Sequence, residues 1–196
     1  HEWAHAWSAY VLGDSTARDD GRMTLNPLVH IDPIGTFLLP LIGIPFGWAK
    51  PVPINVARFR PDVGMRAGVL LTAAAGPVSN LLIAIASIGG LLVLSAADKA
   101  SGQYSAIHEL LQTLVMLNVL LATFNMLPIA PLDGSRIVDA LMPSSCRPAW
   151  DALASLGPLP LLVVLLAPLT TGVNLLCWPL TETQHVVDGL MRLVQK

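Results

Sequence analysis

Charged residues are scarce in this chain of 196 residues. Asp, Glu, Lys and Arg make up 12% of it, whereas a soluble domain of average composition has about 25%. Apolar residues make up 54%, and the mean hydropathy is +0.63. The formal net charge is −2, so the excess of Lys and Arg that marks a nucleic-acid-binding protein is missing. This composition predicts a protein that lies in lipid and excludes a nucleic-acid partner.

Cysteine is nearly absent too. Cys146 and Cys177 are the only two, and they lie far apart in the sequence. A close-spaced cysteine pair for metal binding or redox chemistry is therefore excluded. We interpret both as small apolar residues.

Long uncharged runs predict membrane-spanning helices, each of which needs about 20 mostly apolar residues. Residues 67–97 form the longest run and residues 110–130 the second. The third, residues 152–180, is interrupted by prolines at positions 158, 160 and 168. Because prolines disfavour a straight helix, one kinked span and a re-entrant pair both remain open for this run.

A shorter apolar segment, residues 34–48, contains two prolines and three glycines, which favours a re-entrant loop over a full span. With this loop re-entrant, segments 13–33, 50–66 and 134–151 share one side of the membrane. That side holds eight basic residues and the other side three; they are Arg18, Arg22, Lys50, Arg58, Arg60, Arg66, Arg136 and Arg147 against Lys99, Arg192 and Lys196. If residues 34–48 spanned the membrane fully, one side would hold six basic residues and the other five. Since basic residues favour the cytoplasmic side, the re-entrant arrangement gives a clear orientation, and we prefer it.

Both ends of the sequence have helical patterns. Residues 1–12 predict the last turns of a helix, and because the sequence opens on His1 without an initiator Met, we expect an upstream segment to be missing. Residues 182–196 predict a short surface amphipathic helix, with Val186, Val187, Leu190 and Leu193 on one side.

The first five residues, His1-Glu2-Trp3-Ala4-His5, form the pattern H-E-x-x-H. Positions i and i+4 of a helix lie on one face, so both imidazoles can reach one metal ion. Glu2 lies beside them and can take a proton from a water that the metal activates. Zinc would lower the pKa of that water towards about 7 and so provide a nucleophile at neutral pH. The alternative is a chance pair of histidines at a helix end.

A catalytic zinc site also needs a third protein ligand and an open fourth position. Asp133 comes soon after the uncharged run 110–130, and a carboxylate at that depth is costly unless it is paired or bound to a metal. In the re-entrant arrangement of residues 34–48, the N-terminal helix and this run are predicted to end on the same side of the membrane. Asp133 is therefore geometrically compatible with His1 and His5 as a third ligand.

Several motifs together carry a family resemblance. The H-E-x-x-H pattern occurs with Asn125, Pro128 and the triplet Leu132-Asp133-Gly134, and this combination resembles the site-2 protease family of intramembrane metalloproteases, of M50 type. Segments 25–35, 47–53 and 75–80 are similar to elements of its compact prokaryotic branch. The resemblance covers residues 1 to about 145; the absent upstream helix is its departure from the family.

The resemblance implies an all-α polytopic membrane protein with a three-helix catalytic core, a re-entrant or extended loop and extra C-terminal helices. It implies one zinc ion bound by His1, His5 and Asp133, with Glu2 as the general base. It further implies that Asn125 lies near the zinc, where a buried amide donor could stabilise the oxyanion. The alternative for Asn125 is a backbone cap at a helix end.

Other polar residues are candidates for supporting roles near the zinc. Asn80 lies inside the longest run, where a hydrogen bond to a neighbouring helix is the alternative. His30, which sits with Asp32 among prolines, has a structural turn or capping role as its alternative. Gly76 is interpreted as permitting close contact between helices.

Residues 48–55 include prolines at positions 51 and 53 and cannot form a regular helix. They predict an extended edge that could hold unwound substrate by strand addition, a role to which the family resemblance also points. A plain connecting loop is the alternative.

These residues favour an intramembrane zinc metalloendopeptidase that cleaves membrane-spanning or membrane-anchored proteins. Its partners would be a transmembrane protein substrate and the lipid bilayer. Its location would be the bacterial cytoplasmic (inner) membrane, with the active site towards the cytoplasmic side. The alternative is a non-hydrolytic membrane metal-binding or transport protein, which would need no general base at Glu2. A catalytically silent membrane scaffold is a third hypothesis, which the intact set of ligands and base disfavours.

We expect residues 1–196 to form a single membrane-embedded peptidase domain truncated at its N-terminus. Its core would be residues 1–145, and residues 146–196 would form a helical extension. Nothing in the sequence selects the substrate or the oligomeric state.

Overall fold

The computed structural model describes residues 1–33, 35, 41, 49–97, 105–171 and 177–194. The regular elements in these ranges are helices, and no strand occurs among them, which confirms the all-α fold class. The chain divides into two compact units, His1–Gly76 and Pro77–Lys196. The single peptidase domain expected from the sequence stays a prediction.

The first unit begins with helix α1 (Glu2–Val11), as predicted, followed by the short helix α2 (Thr16–Asp19). Ala6 of α1 and Ala17 of α2 are buried together with Val52, and Met23 packs against them. Small side chains on these two helices allow the later segment around Val52 to lie close to α1.

Gly13 allows the chain to turn sharply after α1. Its φ is +113°, and a Cβ there would lie 2.9 Å from the backbone nitrogen of Arg60, so this position requires glycine. The N–H of Arg60 donates to the carbonyl of Leu12 at 2.8 Å. Residues near 60 are thereby tied to the end of α1.

Among the described residues of the connection between α2 and the next long helix are two 3₁₀ turns, Pro27–His30 and Val56–Arg58, each capped by an Asn side chain. The described residues 49–55 have no helical or strand structure, in agreement with their prolines. The predicted re-entrant loop at residues 34–48 lies almost entirely outside the described residues. The orientation derived from that loop therefore stays a prediction.

Helix α3 (Met65–Ala97) confirms the longest predicted span. Its 33 residues give a length of about 50 Å at 1.5 Å per residue, which exceeds the roughly 30 Å hydrocarbon core of a bilayer. Pro77 lies inside the helix, as is tolerated in membrane helices when neighbouring groups satisfy the freed carbonyl.

Helix α4 (Ser105–Asn125) is the second candidate span, but its boundaries differ from the predicted run 110–130. It begins earlier and ends at Asn125, because the following residues form turns that include Pro128 and Pro131, which cannot donate helical hydrogen bonds. The lengths and apolar composition of α3 and α4 make the chain an integral membrane protein.

The third predicted run is broken. Helices α5 (Asp133–Leu141) and α6 (Arg147–Ala154) are followed by α7 (Leu159–Thr171), and the axes of α6 and the first part of α7 differ by 70°. Gly157, with a φ of +57°, and Pro158 lie at this break. A straight span over residues 152–180 is therefore excluded, and a kinked span and a re-entrant pair both accommodate the bend.

The helix predicted at residues 182–196 is present, but it is longer than predicted and one side of it packs against protein. Helix α8 (Cys177–Val194) begins earlier, and Val187 is 3% exposed in a cluster with Leu91 of α3 and Val115 of α4. Thr183, one turn before Val187, donates a hydrogen bond to Thr123 of α4 at 3.2 Å. Of the predicted stripe, Val187 is covered by protein, whereas Val186 and Leu190 are exposed.

Candidate metal centre

His1 and His5 lie one helical turn apart at the start of α1, as the spacing predicts. Their rings meet edge to face with centroids 4.7 Å apart, and their Nε2 atoms are 3.1 Å apart. Two imidazole nitrogens that converge in this way can contact one metal ion.

A main-chain carbonyl holds the ring of His5. The Nδ1 atom of His5 lies 2.6 Å from the carbonyl oxygen of Thr72 in α3, and the His5 side chain is 6% exposed. Because a carbonyl oxygen can only accept, Nδ1 must carry the proton, and Nε2 keeps the lone pair that a metal ligand requires. Sequence reasoning missed Thr72, since it acts through its backbone and its hydroxyl bonds only to carbonyls of its own helix.

Gly76, one turn after Thr72, makes room for both rings. A Cβ at this position would overlap with Nε2 of His5 and would lie 2.6 Å from Cε1 of His1. The close contact that the sequence predicted at Gly76 is therefore a contact with the two histidine side chains.

The donor set of this pair fits a transition metal ion. The two Nε2 atoms lie close together, and the ring of His5 is fixed in the tautomer that a metal ligand requires. Gly76 beside the rings has no side chain that would occupy their space. Neutral imidazole is a good ligand for zinc, copper, iron and nickel. A third ligand and an open position would complete a catalytic centre.

Glu2 is half-buried beside the pair, and its Oε2 accepts a hydrogen bond from the backbone N–H of Val52 at 3.2 Å. This bond fixes the direction of the carboxylate that the motif assigns as the general base. Sequence reasoning predicted that Val52 lies in a non-helical segment, because prolines flank it, but could not find its partner.

Asp133 is buried as the first residue of α5, in the second compact unit. The next residue, Gly134, admits no side chain, because a Cβ would overlap with the carbonyl oxygens of Met126 and Leu127. The turns before α5 therefore fold tightly over its first turn, which accounts for a glycine directly after Asp133. The assignment of Asp133 as a metal ligand stays a prediction.

Asn125 is the last residue of α4, and its Nδ2 donates to the carbonyl of Leu121 at 2.9 Å. This is the helix-end bond that the sequence left open as the alternative. The amide has a second hydrogen, so the bond does not exhaust its donors. An oxyanion role for Asn125 stays a prediction.

Asn80 lies one turn after Gly76 on α3 and is 2% exposed. Its Nδ2 is buried and has no hydrogen-bond partner among the described residues. An unpaired buried donor costs about 1–3 kcal/mol, so this amide is a candidate to bind a group from outside the chain. Its supporting role near the metal stays a prediction.

His30 has structural contacts in the first unit. Its Nε2 donates to the carbonyl of Thr24 at 3.0 Å, and its own carbonyl accepts from the N–H of Lys50 at 2.8 Å. These bonds tie the first 3₁₀ turn to the chain entering residues 50–55. They favour the turn role that the sequence left open, and a role beside the metal stays a prediction.

Replacing Gly76 with Ala tests the space for the histidine pair. We expect at least a tenfold loss of bound metal, because the new methyl group would displace the rings. Metal content of the purified protein, measured after extensive dialysis, gives the result. Gly89→Ala on the same helix is the matched control, since a Cβ there meets no atom within 4 Å. Equal metal content in both variants would contradict the site.

Comparison with known proteins places the chain in a family. Residues 87–156 match the sequence profile of peptidase family M50. YwhC of Bacillus subtilis, named as a candidate zinc metalloprotease, is 38% identical over 195 residues, which cover 98% of this chain and 84% of that protein.

More distant relatives are the Rip2 proteins of two mycobacteria, also named as candidate zinc metalloproteases. The protein of Mycolicibacterium smegmatis is 27% identical over 168 residues, covering 86% of this chain and 62% of the relative. That of Mycobacterium tuberculosis is 27% identical over 176 residues, covering 88% and 64%. The chain thus spans less than two thirds of the Rip2 proteins, and no solved structure matches it. The similarity to YwhC along nearly the whole chain, together with the profile match, shows that the chain belongs to peptidase family M50, the site-2 protease family, and is a metalloprotease.

Proposed function

We propose that the chain is an intramembrane zinc endopeptidase that hydrolyses peptide bonds of membrane-spanning or membrane-anchored proteins. The observation that carries the proposal is the His1–His5 pair, with Nε2 atoms 3.1 Å apart and the Glu2 carboxylate beside it. The helices α3 and α4, long and apolar enough to cross a bilayer, support the membrane setting. The names of YwhC and Rip2 support zinc as the metal.

One zinc ion would be held by Nε2 of His1, Nε2 of His5 and the carboxylate of Asp133. Two histidines and one carboxylate form a known catalytic zinc set that leaves a fourth position open. A bound zinc ion supplies Lewis acidity, which makes water nucleophilic at neutral pH and polarises the carbonyl of a peptide bond. Burial of Asp133 supports its role, because a buried carboxylate is stabilised by a cation.

Glu2 is the proton carrier of this proposal. Its carboxylate takes a proton from the attacking water and passes it to the amine that leaves. The Val52 N–H keeps Oε2 in a fixed direction, which supports a carboxylate prepared for proton transfer. The second amide hydrogen of Asn125 would donate to the negative charge that develops on the carbonyl oxygen.

The extended residues 49–55 would bind the substrate. A helical substrate hides its scissile carbonyls in backbone hydrogen bonds and must be unwound before attack. Residues 49–55 lie beside Glu2 and have no regular structure of their own, which supports strand addition of an unwound substrate. The charge count favours an active site open to the cytoplasmic side of the bacterial inner membrane.

A metal-binding or transport role without hydrolysis is the competing function. Transport requires no proton carrier beside the histidines, so in that function Glu2 and its hydrogen bond to Val52 would have no role. That bond favours the endopeptidase.

Glu2→Gln should lower cleavage by at least about 100-fold, because the amide cannot accept the proton from water. Zinc content should equal that of the wild type, since Glu2 is not a ligand. A single-span reporter with a fluorophore and a quencher on either side of its transmembrane segment, in detergent micelles, measures cleavage. Glu109→Gln, at an exposed position of α4, is the control. Wild-type cleavage by Glu2→Gln would rule out the mechanism, and loss of zinc and fold together would favour a structural metal site.

Asn125→Ala should lower kcat by about 10²-fold or more if the amide stabilises the oxyanion. Asn118→Ala is a matched control on the same helix, because the Asn118 Nδ2 donates to the Leu114 carbonyl with the same i−4 spacing. Both variants lose one such bond, and their melting temperatures in detergent should fall by similar amounts. Equal kcat values for the two variants would assign Asn125 a capping role only.

A further inference from the structure

Residues 50–55, called the strap below, pass beside Glu2 of the active-site motif and are held by side chains at three places. The N–H of Val52 donates to Glu2 in the middle of the strap. The two ends bond to buried charged side chains that the reaction itself does not use. This arrangement connects two distant residues to the proposed catalytic base.

Arg22 holds the first end of the strap. Its Nη2 donates to the carbonyl of Lys50 at 2.7 Å and to that of Pro51 at 3.4 Å, and Arg22 is largely buried. Burying a guanidinium is costly unless it is hydrogen-bonded. Both bonds go to main-chain oxygens of the strap, so the cation fixes the path of its backbone.

Asp14 holds the other end. Its side chain is 0% exposed, and Oδ2 accepts from the N–H of Asn55 at 2.6 Å. Oδ1 accepts from the N–H of Thr16 at 3.0 Å and from the hydroxyl of the same residue. One carboxylate thus joins the start of α2 to the end of the strap.

The middle of the strap is held by packing as well. Val52 is buried against Ala6 of α1 and Ala17 of α2. Its N–H donates to Glu2, and Pro51 and Pro53 on either side have no N–H to offer. The N–H groups of Lys50 and Asn55 are also used, by His30 and Asp14. Among the main-chain N–H groups of the strap, that of Val52 is the one that bonds to the Glu2 carboxylate.

We propose that Asp14 and Arg22 are positioning residues for the catalytic base. They fix both ends of the strap, the strap fixes the Val52 N–H, and this N–H keeps Glu2 aligned for proton transfer. The inference rests on the proposed function, in which Glu2 is the base. A displacement of about 1 Å at a catalytic group can cost up to about 10²-fold in rate, so small shifts of the strap affect turnover.

Two substitutions separate this role from general stability. Val52→Pro removes the donated N–H within a segment that already contains two prolines. Asp14→Asn replaces one of the two acceptor oxygens with an NH₂ group, so the side chain can no longer accept from both Thr16 and Asn55, and the link between α2 and the strap is broken. Asp20→Asn, at an exposed position near α2, is the matched control.

The full chain in detergent is assayed with the single-span fluorescent reporter, and kcat, KM, zinc content and melting temperature are measured. We expect Val52→Pro and Asp14→Asn each to lower kcat about tenfold or more. Zinc content should be unchanged, because neither Asp14 nor Val52 is a metal ligand in the proposed function. A change confined to KM would assign the strap to substrate binding alone and would overturn its role in positioning the base. Asp20→Asn should match the wild type.

The double variant Asp14→Asn/Val52→Pro gives the decisive comparison. If Asp14 acts through Val52, kcat of the double variant should equal that of Val52→Pro. The reason is that movement of the strap cannot affect Glu2 further once the N–H that contacts Glu2 is absent. Effects on kcat that multiply would overturn the proposal, as would a wild-type kcat in Asp14→Asn. If Val52→Pro does not fold, the kcat and KM of Asp14→Asn against Asp20→Asn decide.

Failure of this inference is distinguishable from failure of the proposed function. If the Glu2→Gln variant is active, Glu2 is not the base and the proposed chemistry fails. If the Glu2→Gln variant is inactive and the Asp14→Asn variant has wild-type turnover, only the role of the strap is contradicted.

Discussion

The hydrogen bond from Nδ1 of His5 to the Thr72 carbonyl is the interaction on which the metal centre depends. It selects the tautomer in which Nε2 can bind a metal, and it requires α1 to lie against α3 at hydrogen-bonding distance. That approach is possible because Gly76 has no side chain where the two rings lie. The alanines buried in α1 allow α2 and the segment around Val52 to pack closely against it.

Local spacing made part of this structure predictable. The i, i+4 histidine pair and the long apolar helix α3 follow from periodicity and length, and both are present. The Thr72 carbonyl and the Val52 N–H were not predictable, because every residue has a carbonyl and nearly every one an N–H. The packing of α8 against α3 and α4 was not predictable for a different reason: an amphipathic stripe does not tell whether protein or a membrane surface covers it. Likewise, hydropathy continued past Asn125, whereas the helix ended before the prolines.

Buried polar groups in the first unit are organised around one carboxylate. Asp14 and Arg22 are both buried, and each bonds to main-chain groups of the strap, which in turn bonds to Glu2. Polar groups in such a setting are costly unless they are bonded, and bonded they hold a single geometry. This largely apolar chain therefore has two of its few charged side chains, Asp14 and Arg22, close to the segment that bonds to the H-E-x-x-H motif. This distribution is what hydrolysis inside a largely apolar protein would require.

Binding of zinc by His1 and His5 through Nε2 is the claim on which the proposed chemistry rests. X-ray absorption at the zinc edge of the purified, zinc-loaded chain measures it directly. We expect nitrogen and oxygen neighbours at about 2.0–2.2 Å, with the multiple-scattering pattern of two imidazoles. Sulfur neighbours at about 2.3 Å, or a spectrum with fewer than two imidazoles, would contradict it.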